Sequence, residues 1–234
     1  MSLIMTAPPP NSEKTARTPS ERYRERLLAA LSGEVGTKGW TAPALKAAAL
    51  AAGLSDGEAL LAFPKGVADA IDAFADRADK DMLAVLSEAD LGRLKVRERV
   101  ILAVQARIVA QTPHKEAARR LSMALALPTR VGLGPKLVWR TADRIWRGLG
   151  DPSTDFNFYS KRAILMGVLT ATYAYWFSDD DPAHGPTFRF LDERIDNVMQ
   201  FEKLKAQAKP LVQGFEEWAG LAGRLRYGRA GDPK

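Results

Sequence analysis

The stretch that decides the fold is Trp139–Arg162, with the sequence WRTADRIWRGLGDPSTDFNFYSKR. Trp139, Asp143 and Trp146 recur at intervals of four and three residues. At this spacing side chains share one face of an α-helix. The segment therefore begins with a helix that carries two indole rings and a carboxylate on the same side.

A turn and a second helix follow. Gly148 and Gly150 are expected to end the first helix, because glycine tolerates the left-handed geometry of a C-terminal cap. Three residues can then cap the next helix by accepting a bond from its first turn: Ser153, Thr154 or Asp155. This second helix is expected to start near Phe156. Its aromatic and charged side chains are typical of a surface where aromatic anchors meet a polar rim.

The same residues carry a resemblance to a known family. The pattern W-x3-D-x2-W, followed by G-D-x-S-T-D-F-N-x-Y-x-K-R, resembles the Coq "nine" family of ubiquinone-biosynthesis accessory proteins. A looser match continues through Phe188–Leu191 and Arg194–Asp196, and the resemblance covers most of the chain after about residue 20. It implies a TetR-like helical protein that binds isoprenoid lipids and partners the di-iron demethoxyubiquinone hydroxylase.

Composition limits the possible classes of protein. A chain of 234 residues can form one substantial core with a small appended domain. It has no cysteine, which excludes disulfides and thiolate metal sites. The net charge of +6 favours a polyanionic neighbour, either nucleic acid or an anionic membrane face. No signal peptide is evident, and the longest uncharged run, Ala163–Ser178, falls short of the roughly 20 residues of a membrane span.

The hydrophobic spacing predicts an all-α protein, because no segment alternates as a strand would. The resemblance implies that this all-α fold is TetR-like. We expect a disordered lead over residues 1–19, a helix-turn-helix-like subdomain over 20–75, a helical lipid-binding and dimerisation domain over 76–206, and a membrane-binding helix and tail over 207–234. The first helix is expected to open at Ser20 and to be ended by Gly33, Gly36 and Gly39. Later helices are predicted over 42–52, 56–62, 67–86, 95–111, 115–126, 134–149, 155–177, 187–206 and 210–226.

The segment Ala42–Phe63 resembles the helix-turn-helix of TetR-type regulators, although an unrelated helical hairpin remains open. Its candidate recognition helix carries Asp56 and Glu58 and no basic residue. Phosphate contacts need cations and base edges need polar donors, so we expect DNA reading to be lost. The alternative function is a TetR-type transcriptional regulator with an apolar effector, and a third is a helical scaffold without a ligand.

The helix Phe158–Phe177 is the candidate wall of a lipid chamber, since it is apolar nearly all round and contains small residues. An ordinary core helix would show the same pattern. The predicted lipid-binding residues are Leu165, Val168, Leu169, Tyr173 and Trp176. The ligand is expected to be an isoprenoid quinone or a phospholipid, and mass spectrometry of a solvent extract would distinguish a lipid-binding protein from a scaffold.

The resemblance also implies a docking patch for the hydroxylase. The predicted partner-binding residues are Ile145, Asp155, Phe158, Tyr159 and Arg162. Phe158 and Tyr159 could instead be buried against Trp146, and Asp155 could serve only as a helix N-cap. Asp143 is expected to bond an indole N–H or to pair with Arg140 or Arg144.

The C-terminal segment has the spacing of an amphipathic helix flanked by Lys and Arg. Its predicted membrane-binding residues are Leu211, Phe215, Trp218 and Leu225. Such a helix lies in the headgroup plane of an anionic membrane, although packing on its own body or on a second subunit would use the same face. Deleting residues 207–234 is therefore expected to abolish binding to anionic liposomes while the remaining body stays folded. Full retention of liposome binding would contradict this.

Catalytic chemistry is not expected. His114 and His184 are isolated, and the sequence lacks Glu-x-x-His, G-x-S-x-G, Walker and G-x-G-x-x-G motifs. We therefore predict no catalytic residue, no metal site, no cofactor and no nucleic acid partner. The run Asp179–Asp181 and the following His184 are expected to form a solvated loop. The predicted protein is a homodimer, cytoplasmic and peripheral on the inner membrane, on the matrix side if mitochondrial.

Overall fold

The computed structural model describes residues 17–130, 132–154 and 156–200, except for the side chain of Phe156. All regular structure within these residues is helical, which confirms the all-α prediction. The α-helices are α1 Pro19–Lys38, α2 Ala42–Ala51, α3 Asp56–Ala62, α4 Val67–Glu88, α5 Val96–Gln111, α6 Lys115–Leu125, α7 Leu133–Gly148, α8 Phe156–Trp176 and α9, which covers 185–200.

Helix α1 contains two of the three glycines that are expected to end it. It is capped by Thr18, whose backbone N–H donates to Glu21 Oε2 at 2.8 Å and whose hydroxyl accepts from Glu21 N at 3.3 Å. The helix continues through Gly33 and Gly36 and ends only at Gly39, where φ is +64°. Of the three glycines predicted to end α1, only Gly39 does so, because the buried face of the helix continues to Val35. The rest of the predicted lead lies outside the described residues.

The described residues form two compact units. The first comprises the described residues up to Lys80 together with those from Gln111 to Leu137, and the second comprises Asp81–Ala110 together with the described residues from Val138 onward. Trp40 shows how 111–137 joins the first unit, because its buried indole donates to the carbonyl of Ala117 at 3.0 Å. The sequence predicts a helical domain over 76–206, which includes 111–137, whereas these residues pack in the first unit. This long-range bond, 77 residues apart in the chain, leaves no local pattern in the sequence.

Within the first unit, α2 and α3 form the helix-turn-helix-like pair, and both pack on α1. Thr41 caps α2, and Ser55 caps α3 through a reciprocal capping box with Glu58. Leu60 and Leu61 on α3 remain 63% and 60% exposed. The helix at the position of a DNA recognition helix thus presents leucines and carboxylates to solvent.

The second unit contains the segment with which the sequence analysis began. Helix α7 ends at Gly148, as predicted, and Gly150 adopts a φ of +75° while Asp151 N donates to the carbonyl of Trp146 at 2.9 Å. This is the hydrogen bond of a Schellman cap. The unit's core includes the buried residues Met82, Leu86, Val104, Ile108, Ala142, Ile145, Leu165, Leu169, Trp176 and Leu191.

Candidate interaction site

Three rings gather where α7 meets the start of α8. Tyr159 lies 6.3 Å from the ring of Trp139 and 5.1 Å from the ring of Phe158, measured between centroids. Tyr159 is 61% exposed, whereas Trp139 and Phe158 are half-buried. We call these three residues the aromatic patch. A ring that is exposed but braced by two others is a suitable anchor for a protein partner.

The buried side chain of Arg162 contacts the aromatic patch on its inner side. The Arg162 side chain is 1% exposed, and its Nε donates to Asp143 Oδ1 at 2.7 Å. Its Nη1 donates to the carbonyl of Phe158 at 3.1 Å and reaches Asp151 Oδ2 at 3.5 Å. The guanidinium carbon also lies 3.5 Å from the centroid of the Phe158 ring. Arg162 therefore fixes the orientation of Phe158 through its ring and through its backbone.

Lys161 completes the charge network. Its Nζ donates to Asp151 Oδ1 and to Ser153 Oγ, each at 2.7 Å, and lies 5.4 Å from the centroid of the Trp146 ring. Burial raises the pKa of the Asp151 carboxyl. Hydrogen bonds from Lys161 and Ser153 lower this pKa by more than burial raises it, so the pKa lies below its ordinary value. We call Asp143, Asp151, Lys161 and Arg162 the ion network. It ties the turn after α7 to the first turns of α8.

The five predicted partner-binding residues differ in exposure. Tyr159 is exposed and Phe158 is half-buried, while Asp155 lies outside the described residues. Ile145 and Arg162 are 0% and 1% exposed, so neither lies on the surface of the chain. Ile145 belongs to the core, and Arg162 is turned inward by its two carboxylate partners. Asp143 pairs with Arg162 and, at 2.8 Å, with Arg147, neither of which the sequence analysis had considered.

The predicted lipid-binding residues lie on one helix but differ in exposure. Leu165, Val168, Leu169 and Trp176 are buried, and Tyr173 is half-buried. The Arg107 guanidinium donates to the Tyr173 hydroxyl and lies 5.2 Å from the centroid of its ring. Of the small residues of α8, Ala163, Gly167 and Ala174 are exposed and Ala171 is half-buried. The predicted membrane-binding residues Leu211, Phe215, Trp218 and Leu225 lie outside the described residues.

The loop between α8 and α9 contains a site that the sequence analysis missed. Asp179 and His184 are 7% and 5% exposed, so the prediction of a solvated loop was wrong for them. The Asp179 carboxylate accepts from the backbone N–H of Asp181 and of Thr187, both at 3.0 Å, and from the Thr187 hydroxyl. An Asp followed two residues on by a turn is the signal that could have identified this cap.

The described residues also bear on two other kinds of site, a membrane span and a metal site. Within 17–130, 132–154 and 156–200, no helix combines the length and the hydropathy that a membrane crossing requires. The same residues contain no group of three or more His, Cys, Asp or Glu placed to hold a metal ion.

Comparison with known structures defines the fold. The chain aligns with the crystal structure of a TetR transcriptional regulator from Nitrosomonas europaea at a TM-score of 0.64, covering 76% of this chain and 99% of that one. The sequence identity of 19% is low, so this likeness shows the fold alone. The predicted TetR-like fold is confirmed.

Comparison of sequences identifies the relatives. The COQ9 family model matches residues 131–202, which include the aromatic patch and the ion network. The rat mitochondrial ubiquinone biosynthesis protein COQ9 is 31% identical over 205 residues, or 83% of this chain and 65% of the relative. The human protein is 30% identical over 83% of this chain and 64% of the relative, and the Drosophila melanogaster protein is 26% identical over 89% and 64%.

The chain thus spans about two thirds of the length of these curated relatives. The sequence resemblance that begins at Trp139 agrees with the family match over 131–202 and with the identity along most of the chain. Residues 131–202 thus match the COQ9 family model, the fold is TetR-like, and most of the chain is similar in sequence to the COQ9 ubiquinone biosynthesis proteins.

Proposed function

We propose that this chain is a non-catalytic accessory protein of ubiquinone biosynthesis. In this proposal it binds an isoprenoid quinone precursor at a membrane surface and presents it to the demethoxyubiquinone hydroxylase. The observation that carries the proposal is the aromatic patch, which lies inside the COQ9-matched residues 131–202 and exposes Tyr159 on a rigid support.

The geometry of the patch supports a role in docking. A stable interface concentrates its binding energy in a few braced aromatic or arginine anchors. Tyr159 is braced by two rings, and the ion network holds the helix start that carries it. Because the charges of this network are already paired within the chain, a partner that covers the patch need not neutralise them. The contact with the hydroxylase is therefore expected to be mainly apolar.

Lipid and membrane binding are further parts of the proposal. The lipid would contact the inner stripe of α8, with Leu165 and Leu169 as representative residues, and Tyr173 at the half-buried margin. The segment 207–234 would hold the protein on an anionic membrane face, in a homodimer peripheral to the inner membrane. Burial of an isoprenoid tail is favourable by about 25 cal/mol per Å² of apolar surface, so binding needs space more than specific polar contacts.

Tyr159→Lys tests the docking role. We expect this substitution to weaken binding to the hydroxylase by about 30-fold or more, since truncating a hot-spot residue costs about 2 kcal/mol or more. Because Tyr159 is 61% exposed, the fold should be unaffected. Co-purification and titration calorimetry with the hydroxylase measure the effect, and a urea melt checks the fold.

Val109→Lys is the matched control for this experiment. Val109 lies on α5 in the same unit and is 55% exposed, so its substitution places a similar charge on a similar surface outside the patch. Equal binding by wild type, Tyr159→Lys and Val109→Lys would contradict the docking role. Equal loss in the two variants would show that added charge alone is responsible.

The DNA-binding alternative has a separate test. On α3, Asp56 and Glu58 would repel phosphates, and Leu60 and Leu61 offer no hydrogen bond to base edges. We expect no shift of duplex DNA in a gel at physiological salt, including the duplex upstream of the chain's own gene. Saturable, sequence-dependent binding there would favour the regulator instead.

A further inference from the structure

A pocket of about 410 Å³ lies in the first unit, at the beginning of α4. Its lining combines two cations, Lys65 and Arg130, with the apolar residues Val67, Ala68, Ile71 and Leu133. This volume is within the range of small-ligand sites, which are about 300–1,000 Å³. No residue of the lining is acidic. None of the residues proposed to bind the quinone contributes to it.

Arg130 is held in place by the core of this unit. Its Nη2 donates to the carbonyl of Trp40 at 2.8 Å, and Trp40 is 3% exposed and hydrogen-bonded to Ala117 through its indole. The Nη1 of Arg130 is buried without a hydrogen-bond partner. A buried donor in this state is unfavourable and uncommon. The guanidinium thus keeps unused hydrogen-bonding capacity beside the pocket.

The other wall adds to the positive potential. Val67 and Ala68 belong to the first turn of α4, a helix of 22 residues whose N-terminal end carries a partial positive charge. Asp69 lies in the same turn, but its carboxylate accepts the backbone N–H of Lys65 at 2.7 Å. Lys65 itself is exposed and can move toward a bound anion. Cations at the rim and an apolar floor together favour a ligand with both characters.

We infer that this pocket binds a small anionic amphiphile, with a carboxylate or phosphate head near Arg130 and Lys65 and a short alkyl chain on Ile71 and Leu133. This site goes beyond the proposed function, which assigns the isoprenoid to α8. Lys65 and Arg130 favour a negatively charged head group on the ligand, and the pocket volume of about 410 Å³ favours a short alkyl chain.

Titration calorimetry of the full chain with decanoate tests the inference, with decan-1-ol and inorganic phosphate as the separate halves of the ligand. Lys65→Gln and Arg130→Gln are expected to weaken decanoate binding about tenfold each, the effect of losing one charge-assisted hydrogen bond. Ala68→Trp should fill the pocket and abolish binding there, and Ala68 is exposed, so the core is not disturbed. Lys46→Gln, an exposed lysine of α2, is the matched control and should bind as wild type.

Each outcome decides the matter. One decanoate site that is lost in Ala68→Trp, weakened in Lys65→Gln and kept in Lys46→Gln supports the inference. Decanoate binding that is unchanged in both Lys65→Gln and Ala68→Trp overturns it. Decan-1-ol binding as tightly as decanoate would show a purely apolar site, and phosphate competing as well as decanoate would show a simple anion site. Either result also overturns the inference.

Discussion

Replacing Arg162 with alanine is expected to lower the free energy of unfolding by about 3–5 kcal/mol, the usual cost of removing one partner from a buried ion pair. The guanidinium is 1% exposed and serves Asp143, Asp151 and the carbonyl of Phe158. Its loss leaves the Asp151 carboxylate, 4% exposed, with one cation where it had two, and removes the support of the Phe158 ring. Chemical denaturation in urea measures the change.

Arg147→Ala is the control, because Arg147 pairs with the same Asp143 at 2.8 Å but is 70% exposed. Exposed pairs contribute about 0–1 kcal/mol, so this variant should remain close to wild type. If both arginine variants lose the same stability, burial of Arg162 is not the cause. If the proposed docking role holds, the Arg162 variant should also bind the hydroxylase poorly even where it remains folded, since Phe158 is no longer fixed.

Replacing Asp179 with alanine is expected to cost about 2–4 kcal/mol, because unsatisfied buried donors cost about 1–3 kcal/mol each. The carboxylate accepts the hydroxyl and the backbone N–H of Thr187, which is 0% exposed, and the N–H of Asp181. Asp180→Ala is the matched control, since Asp180 is the exposed neighbour. Thermal and urea unfolding should separate the two variants, and equal stability would contradict the role of Asp179 as a cap.

The same carboxylate gives a pH dependence with a defined sign. Burial raises the pKa of Asp179, but hydrogen bonds from Thr187 and Asp181 lower it more, so the folded pKa lies below the ordinary value. The stability from this group is therefore complete above the unfolded pKa of about 3.9 and is lost as the pH falls through the folded pKa. In measurements of the free energy of unfolding from pH 7 to pH 2, the Asp179→Ala variant should lose less stability at low pH than the wild type.

The sequence predicts most helix boundaries well, because they depend on local chemistry. Thr41 and Ser55 cap their helices and Gly148 and Gly150 end α7, as residue type alone indicates. Gly33 was misleading, since burial of the neighbouring face outweighs the modest helix penalty of a glycine. Tertiary burial is the term that a local pattern does not contain.

The candidate site was predictable only in part for the same reason. The aromatic ring at position 159 is exposed, as its surroundings of polar residues suggested. Arg162 is equally polar and was expected beside it on the surface, but its partner Asp143 lies 19 residues earlier in the chain and draws it inward. Asp179 and Thr187 lie eight residues apart, and the Asp179 carboxylate accepts a backbone N–H in the first turn of α9. The run Asp179–Asp181 suggested a solvated loop instead. Hydrogen bonds and ion pairs across a turn decide which polar side chains are buried. The spacing of residues in the sequence does not reveal these pairs.

The acid at position 58 has a consequence for how such a protein could change over time. The Glu58 carboxylate accepts hydrogen bonds from the backbone N–H and the hydroxyl of Ser55, each at 2.8 Å. The bond from the backbone N–H is the main cause of a pKa of Glu58 below the ordinary value. A basic residue at this position would favour contact with DNA phosphates, yet Glu58→Arg would remove the reciprocal half of the capping box that starts α3. The substitution that would help α3 to bind an operator thus weakens the start of that helix. Operator binding at α3 would therefore be gained only at a cost in helix stability.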